Sequence, residues 1–209
     1  MITNLFSRFA LITLGVSLIF MVGCASTEPS RFYILHSLPG SEAETQIAAA
    51  ENGVAIGIGP IELPEYLDRP QIVTRLSKNE LQLAEFDQWA EPLNHNLPRV
   101  LAENLSILLS TDRIFAYPWT GSAQIDYQVA VEVTRFDGTL GGDVLLNTRW
   151  SLLAVDEKKV LVKKKSTFRQ STGGVGYDLL VSAKSQVLAD LSREIAEEIK
   201  VHLKDATER

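Results

Sequence analysis

Ile125, Tyr127, Val129, Val131 and Val133 alternate with Asp126, Gln128, Ala130, Glu132 and Thr134. A period-two run of this length fits a strand with one buried face and one wet face. Two further long segments follow after connections of hairpin scale, Asp137–Gly142 and Asp156–Lys159. Residues 123–136, 143–155 and 159–170 are therefore predicted to form an antiparallel meander. The stretch Lys158–Lys165 carries five lysines among Val and Leu. That pattern suits a protected sheet edge or a solvated strand face, with contact to lipid head groups or a partner as the alternative.

The rest of the chain arranges itself around that meander. Leu93, Leu97, Val100, Leu101, Leu105 and Leu108 recur at the helical period and predict an amphipathic helix over 92–110, with Pro98 as its weak point. Leu180, Val187, Leu188, Leu191, Ile195, Ile199 and Leu203 predict a longer helix over about 177–203, followed by a polar tail. Residues 31–37 read as a strand, and 39–52 as a loop with one loose helical turn at 43–50. Val54, Ile56, Ile58 and Ile61 mark another strand, closed by Pro60 and Pro64. Gly57 and Gly59 inside it suggest a bulge or a close backbone approach. Residues 65–70 read as a turn or one helical turn, 71–76 and 80–86 as a hairpin, and 113–116 as a short strand. The expected fold is α+β: a mostly antiparallel sheet packed against two amphipathic helices.

The amino terminus constrains where such a domain can work. Residues 9–22 carry no charge, Arg8 precedes them, and small residues flank Cys24, the only cysteine in the chain. This is the layout of an export signal. A retained helix is the alternative, but 14 residues rise only about 21 Å against a hydrocarbon core of roughly 30 Å. A lone cysteine in an exported chain has no intramolecular disulfide partner. The sequence MVGC at 21–24 resembles the bacterial lipobox, with Met21 where Leu is usual. That resemblance implies a signal peptide at 1–23, acylation of Cys24 and a short tether at 24–31. A single domain over 32–204 and a tail at 205–209 would follow. Ala25, in place of the Asp that marks inner-membrane retention, favours the inner leaflet of the outer membrane. Several acyl chains on one residue hold far more firmly than one, at about 0.8 kcal/mol per buried CH₂.

Loss of residues 1–23 leaves 19 basic against 26 acidic side chains, a formal charge of −7 where the whole chain has −6. Such a surface repels polyanions, so nucleic acid is not an expected partner. Chemistry is equally thin. His36, His95 and His202 lack ligand-like spacing. The glycines spell no phosphate loop, and no serine sits in G-x-S-x-G. No catalytic residue, metal or cofactor is expected. The densest region is 60–75, where three prolines accompany Tyr66, Asp68, Arg69 and Arg75; Trp89 and Trp119 lie in loops or at element ends. Tyr66, Asp68, Arg69, Arg75 and Trp89 are candidate interface or fold-defining positions, since rigid segments with aromatics present anchors.

Several blocks have a familiar look. They are F-Y-x-L at 32–35, G-I-G-P-I-E-L-P-E-Y-L-D-R-P-Q-I-V-T-R at 57–75, F-D-Q-W-A-E-P-L at 86–93, V-L-A-E-N-L at 100–105 and F-D-G at 136–138 with Trp150. G-Y-D-L-L-V at 176–181 leads into L-S-R-E-I-A at 191–196. Together with Cys24 they resemble the ABC-type transport auxiliary lipoprotein family, in its paraquat-inducible branch. The resemblance implies an outer-membrane lipoprotein, not an enzyme. It would work beside a membrane-spanning protein with mammalian-cell-entry (MCE) domains in lipid transport between membranes, and could form a homo-oligomer. Competing readings are an outer-membrane assembly or structural lipoprotein unrelated to transport, a periplasmic carrier that holds lipid itself, and a hydrolase.

Overall fold

The computed structural model describes residues 28–40, 53–119 and 124–207. Cys24, the leader before it, the turn expected at 43–50 and the last two residues lie outside these. Chain order is β1 (Arg31–Tyr33), β2 (Ile56–Glu62), a 3₁₀ turn (Glu65–Leu67), β3 (Gln71–Arg75), β4 (Leu81–Trp89) and α1 (Leu93–Leu109). There follow β5 (Ile114–Ala116), β6 (Tyr127–Gly138), β7 (Asp143–Ala154), β8 (Lys159–Ser171) and α2 (Tyr177–Thr207).

The strands form two sheets, ordered β5-β2-β6-β7-β8 and β1-β4-β3. The meander is as expected: β6 pairs antiparallel with β7, and β7 with β8. The lysine-rich β8 is an edge strand, with Lys164 turned to Glu198 on α2 at 2.7 Å. The α+β class holds, but a mostly antiparallel single sheet does not. Three pairings are parallel: β1 with β4, β2 with β5 and β2 with β6. Antiparallel neighbours can be joined by short turns that leave a mark in the sequence. Parallel neighbours are joined by long crossovers that do not.

Pro60 also proves to be inside β2 rather than at its end. The strand tolerates it because the ladder to β6 shifts register between Ile58 and Ile61. Gly59 sits there at φ 126°, and a β-carbon on it would stand 2.5 Å from Tyr117 Cβ. The two glycines thus mark both a bulge and a close approach.

Both helices lie on one face of the five-stranded sheet and against each other. Val129, Val131 and Val133 of β6 and Leu146, Trp150 and Leu152 of β7 are buried there, together with the apolar stripes of α1 and α2. Each fully buried Leu, Val or Ile contributes about 1.5–3 kcal/mol, so these stripes and not intrinsic propensity hold the helices. Trp150 fixes the centre of the layer. Its Nε1 donates to Glu194 Oε1 of α2 at 2.9 Å, and the Ser166 hydroxyl of β8 donates to the same carboxylate. Helix α1 includes Pro98 in its interior, and α2 continues to Thr207, beyond the end its pattern predicts.

The segment after β1 lies across the seam between the helices. Leu35 and Leu38 are buried, and their N–H groups donate to Asn96 Oδ1 and Asn104 Oδ1 of α1, each at 2.8 Å. His36 N–H donates to Ser185 Oγ of α2 at 3.2 Å. Asn104 also donates through Nδ2 to Ser192 Oγ of α2 at 3.0 Å. Replacing Asn104 with Ala strands a buried N–H and should lower stability by about 1–3 kcal/mol. Asn94→Ala, at an exposed site on the same helix, should change it little. Thermal unfolding of the two variants checks the difference; equal effects would mean that the seam contact is unimportant.

Candidate functional site

Asp137 closes β6 and is wholly buried. A buried carboxylate needs partners, and three side chains supply them. Arg75 of β3 donates Nε to Oδ1 at 2.9 Å and Nη2 to Oδ2 at 2.8 Å. Tyr66 of the 3₁₀ turn donates its hydroxyl to Oδ2 at 2.9 Å, and Arg135 donates Nε to Oδ1 at 2.9 Å. Burial alone would raise the Asp137 pKa. The hydrogen bonds from Arg75, Tyr66 and Arg135 outweigh it and hold the carboxyl below its ordinary value. The same contacts push the Tyr66 hydroxyl up to about 12, burial first and the Asp137 charge second.

Behind this carboxylate sits Lys184 of α2, 1% exposed. Its Nζ donates to the Phe136 carbonyl at 2.6 Å and stands 4.3 Å from the Phe136 ring centroid and 5.8 Å from that of Trp89. Burial drives the amine down to about 7, with Asp137 pulling the other way. One cluster thus joins the 3₁₀ turn, β3, β4, β6 and α2.

A second buried carboxylate lies in the small sheet. Asp87 of β4 receives Arg31 Nε at 2.8 Å and Nη2 at 2.9 Å, and the Tyr33 hydroxyl at 2.8 Å. Burial, with help from Asp87, raises the Tyr33 hydroxyl to about 12. Both arrangements match a bidentate arginine fork and a tyrosine to one aspartate, a strong and directional combination.

Of the five residues singled out from sequence, Tyr66 and Arg75 meet at Asp137, and Trp89 reaches the same cluster through Lys184. All three are engaged in contacts within the fold. Asp68 is exposed. Arg69 has a buried Nε without a hydrogen-bond partner in the structure. Asp87 and Asp137 stand inside the blocks at 86–93 and 136–138, and no motif marks Lys184. Its position four residues after Leu180 and three before Val187 puts it on the apolar stripe of α2, the signal that could have found it.

Among the described residues no helix covers the other face of the five-stranded sheet. A shallow depression of about 240 Å³ there is lined by Pro60, Glu62, Ala130, Glu132, Arg149 and Lys163, among others. Arg149 donates to Glu132 across it at 2.7 Å. Among the described residues no group of three or more His, Cys, Asp or Glu is placed to hold a metal ion, and no helix is long and apolar enough to cross a membrane.

The fold is thus a helix-backed mixed sheet in which Tyr66, Arg75, Asp87 and Asp137 of the sequence motifs take part in buried ion clusters. Residues 36–196 match the model of the ABC-type transport auxiliary lipoprotein component, and the chain belongs to that family. It is 28% identical over 185 residues to the intermembrane transport lipoprotein PqiC of Escherichia coli (strain K12), which covers 88% of this chain and 95% of PqiC. The Shigella flexneri protein of the same name matches equally. Among solved structures, protein XCC0632 from Xanthomonas campestris superposes with a TM-score of 0.67 at 16% identity, over 86% of this chain and all of that one. An uncharacterized protein gives the same TM-score at 23% identity, over 82% and 99% of the two chains. These two likenesses establish the fold.

Asp137→Ala should cost about 3–5 kcal/mol, because it leaves two guanidinium groups uncompensated. Lys184 makes a pH prediction. Between about pH 7 and its ordinary 10.5, the folded amine has lost a proton that the unfolded chain still binds. Stability should therefore rise with pH in that window, by at most about 1.4 kcal/mol per unit. Lys184→Met should remove that rise. Denaturant unfolding of both proteins from pH 6.5 to 9.5 measures it, below the range where the raised tyrosines titrate. Parallel curves would show that Lys184 keeps its proton in the fold.

Proposed function

We propose that this auxiliary lipoprotein is held at the periplasmic face of the outer membrane by acylated Cys24. There it serves as a non-catalytic docking subunit of an MCE-type intermembrane lipid transport assembly. The observation that carries the reading is the likeness to PqiC over nearly the full length of both chains. PqiC is named as an intermembrane transport lipoprotein, and the likeness includes the region of the two ion clusters.

The structure gives this reading a physical form. Docking needs a surface whose shape does not change on contact, and the 62–75 segment is fixed from behind by Tyr66 and Arg75 on Asp137. Glu65 and Asp68 of that segment remain exposed and are the charges a partner would meet. Tyr66, Arg75 and Trp89 act one step behind, as supports. A lipid-holding carrier would need an enclosed apolar cavity, whereas the depression on the open sheet face is small, shallow and edged by Glu62, Glu132, Arg149 and Lys163. The tether adds a constraint. Six residues lie between Cys24 and β1, seven residue steps with a reach of roughly 25 Å, so the second membrane must be reached by a longer partner.

Crosslinking and pulldown of the full-length lipoprotein from intact envelopes tests the proposal. Recovery of an MCE-domain protein is expected, with recovery weakened by Cys24→Ala, and mass spectrometry should find acyl chains on Cys24. Recovery of barrel-assembly or cell-wall proteins alone would instead support the structural lipoprotein reading.

A further inference from the structure

Nine large apolar side chains are exposed among the described residues, and six of them belong to one end of the molecule: Phe32, Ile34, Leu76, Leu83, Val175 and Leu179. The contacts that gather their segments are specific. Thr139 of the β6–β7 turn donates its hydroxyl to the Arg75 carbonyl, next to Leu76, at 3.1 Å. Gly141 N–H in the same turn donates to the Gly174 carbonyl, next to Val175, at 2.9 Å. The Tyr33 and Tyr177 rings, beside Phe32 and at the start of α2, lie 6.4 Å apart. Leu83 stands opposite Val73 in the β3–β4 ladder. Val160 and Val201, by contrast, lie toward the opposite end, at the start of β8 and near the end of α2.

This is also the end at which the chain arrives from Cys24. Four residue steps separate Cys24 from Glu28, where the described chain begins, a span of at most about 14 Å. We infer that this apolar rim rests on the lipid surface of the leaflet that holds the Cys24 acyl chains, with Leu76 and Val175 reaching the boundary between head groups and acyl chains. The inference rests on the anchoring proposed above.

Exposed apolar groups at a tether's root are otherwise a liability, since a patch of this kind favours association. A lipid surface a few ångströms away removes them from water. Electrostatics does not do this work. The charges of the same end are mixed (Lys78, Glu80, Glu85, Asp143, Arg169 and Asp178), Arg169 is paired with Asp143 at 2.9 Å, and the mature chain is acidic. The contact should therefore be insensitive to salt.

The test uses the acylated full-length chain in vesicles of phosphatidylethanolamine and phosphatidylglycerol. A fluorophore is placed on Leu76→Cys or Val175→Cys, with Val160→Cys and Val201→Cys as comparison sites; the acylated Cys24 does not react. Nitroxide-labelled lipid should quench most of the emission at 76 and 175 and little at 160 and 201, at low and high salt alike. Equal, weak quenching at all four sites would overturn the inference, as would stronger quenching at 160 and 201. Labels at 76 and 175 that stay wet on vesicles but are shielded in envelopes would assign the rim to a protein partner and also overturn it. Mass spectrometry run alongside separates the two readings. Unmodified Cys24 would end the anchoring proposal and this inference together, whereas acylated Cys24 with unquenched labels would end this inference alone.

Discussion

The fold depends on how a single buried charge is compensated. Asp137 sits at the end of the long central strand, out of water, and the cost of placing a carboxylate there is several kcal/mol unless partners surround it. Arg75 and Tyr66 come from the small sheet and the turn before it, and Arg135 from the carboxylate's own strand. The small sheet is thereby tied to the large one by directional, charge-assisted hydrogen bonds rather than by apolar burial alone. Apolar contact would allow many relative positions of the two sheets; a bidentate fork with a tyrosine beside it allows few. Lys184 extends the restraint to α2, although its amine, desolvated and facing a carbonyl and two rings, is the weakest member of the cluster.

This accounts for the most distinctive parts of the sequence. The long block at 57–75 carries the bulge at Gly59, then Tyr66 and Arg75; the blocks at 86–93 and 136–138 carry Asp87 and Asp137. Residues that looked like surface recognition elements are largely engaged with one another. For the docking role proposed above that is a sensible division of labour, because contact affinity is lost whenever a binding surface must first be ordered. Internal ion clusters supply the rigidity, and Asp68 stays exposed.

The legible features were those with local causes. The β6–β8 meander followed from alternation and short turns, the helices from their leucine stripes, and the bulge in β2 from two glycines. The parallel pairings of β1, β2 and β5 left no such trace, since their partners are brought together by crossovers and packing. Nor did the side-chain partnerships: Arg75 and Asp137 are 62 residues apart, and nothing in either neighbourhood names the other. Asn96, Asn104 and Lys184 could have been flagged as polar residues on apolar helix faces. The reason for their presence is long-range, in the backbone of 35–38 and the Phe136 carbonyl.

The path from membrane to core gives these contacts a common purpose if Cys24 carries the anchor. Directly after the tether, Arg31 and Tyr33 grip Asp87, and β1 adds to the small sheet. Residues 35–38 are then fastened to both helices through Asn96, Asn104 and Ser185. Any load on the lipid would pass through these bonds into the helix pair and, through Trp150 and Glu194, into the sheet. A loosely attached amino-terminal segment would let the domain swing on its tether, and the apolar rim would then meet lipid only part of the time. Fixing the segment along the helix seam limits that swing, so the same hydrogen bonds that satisfy the buried backbone of residues 35–38 would also set how the domain sits on its tether.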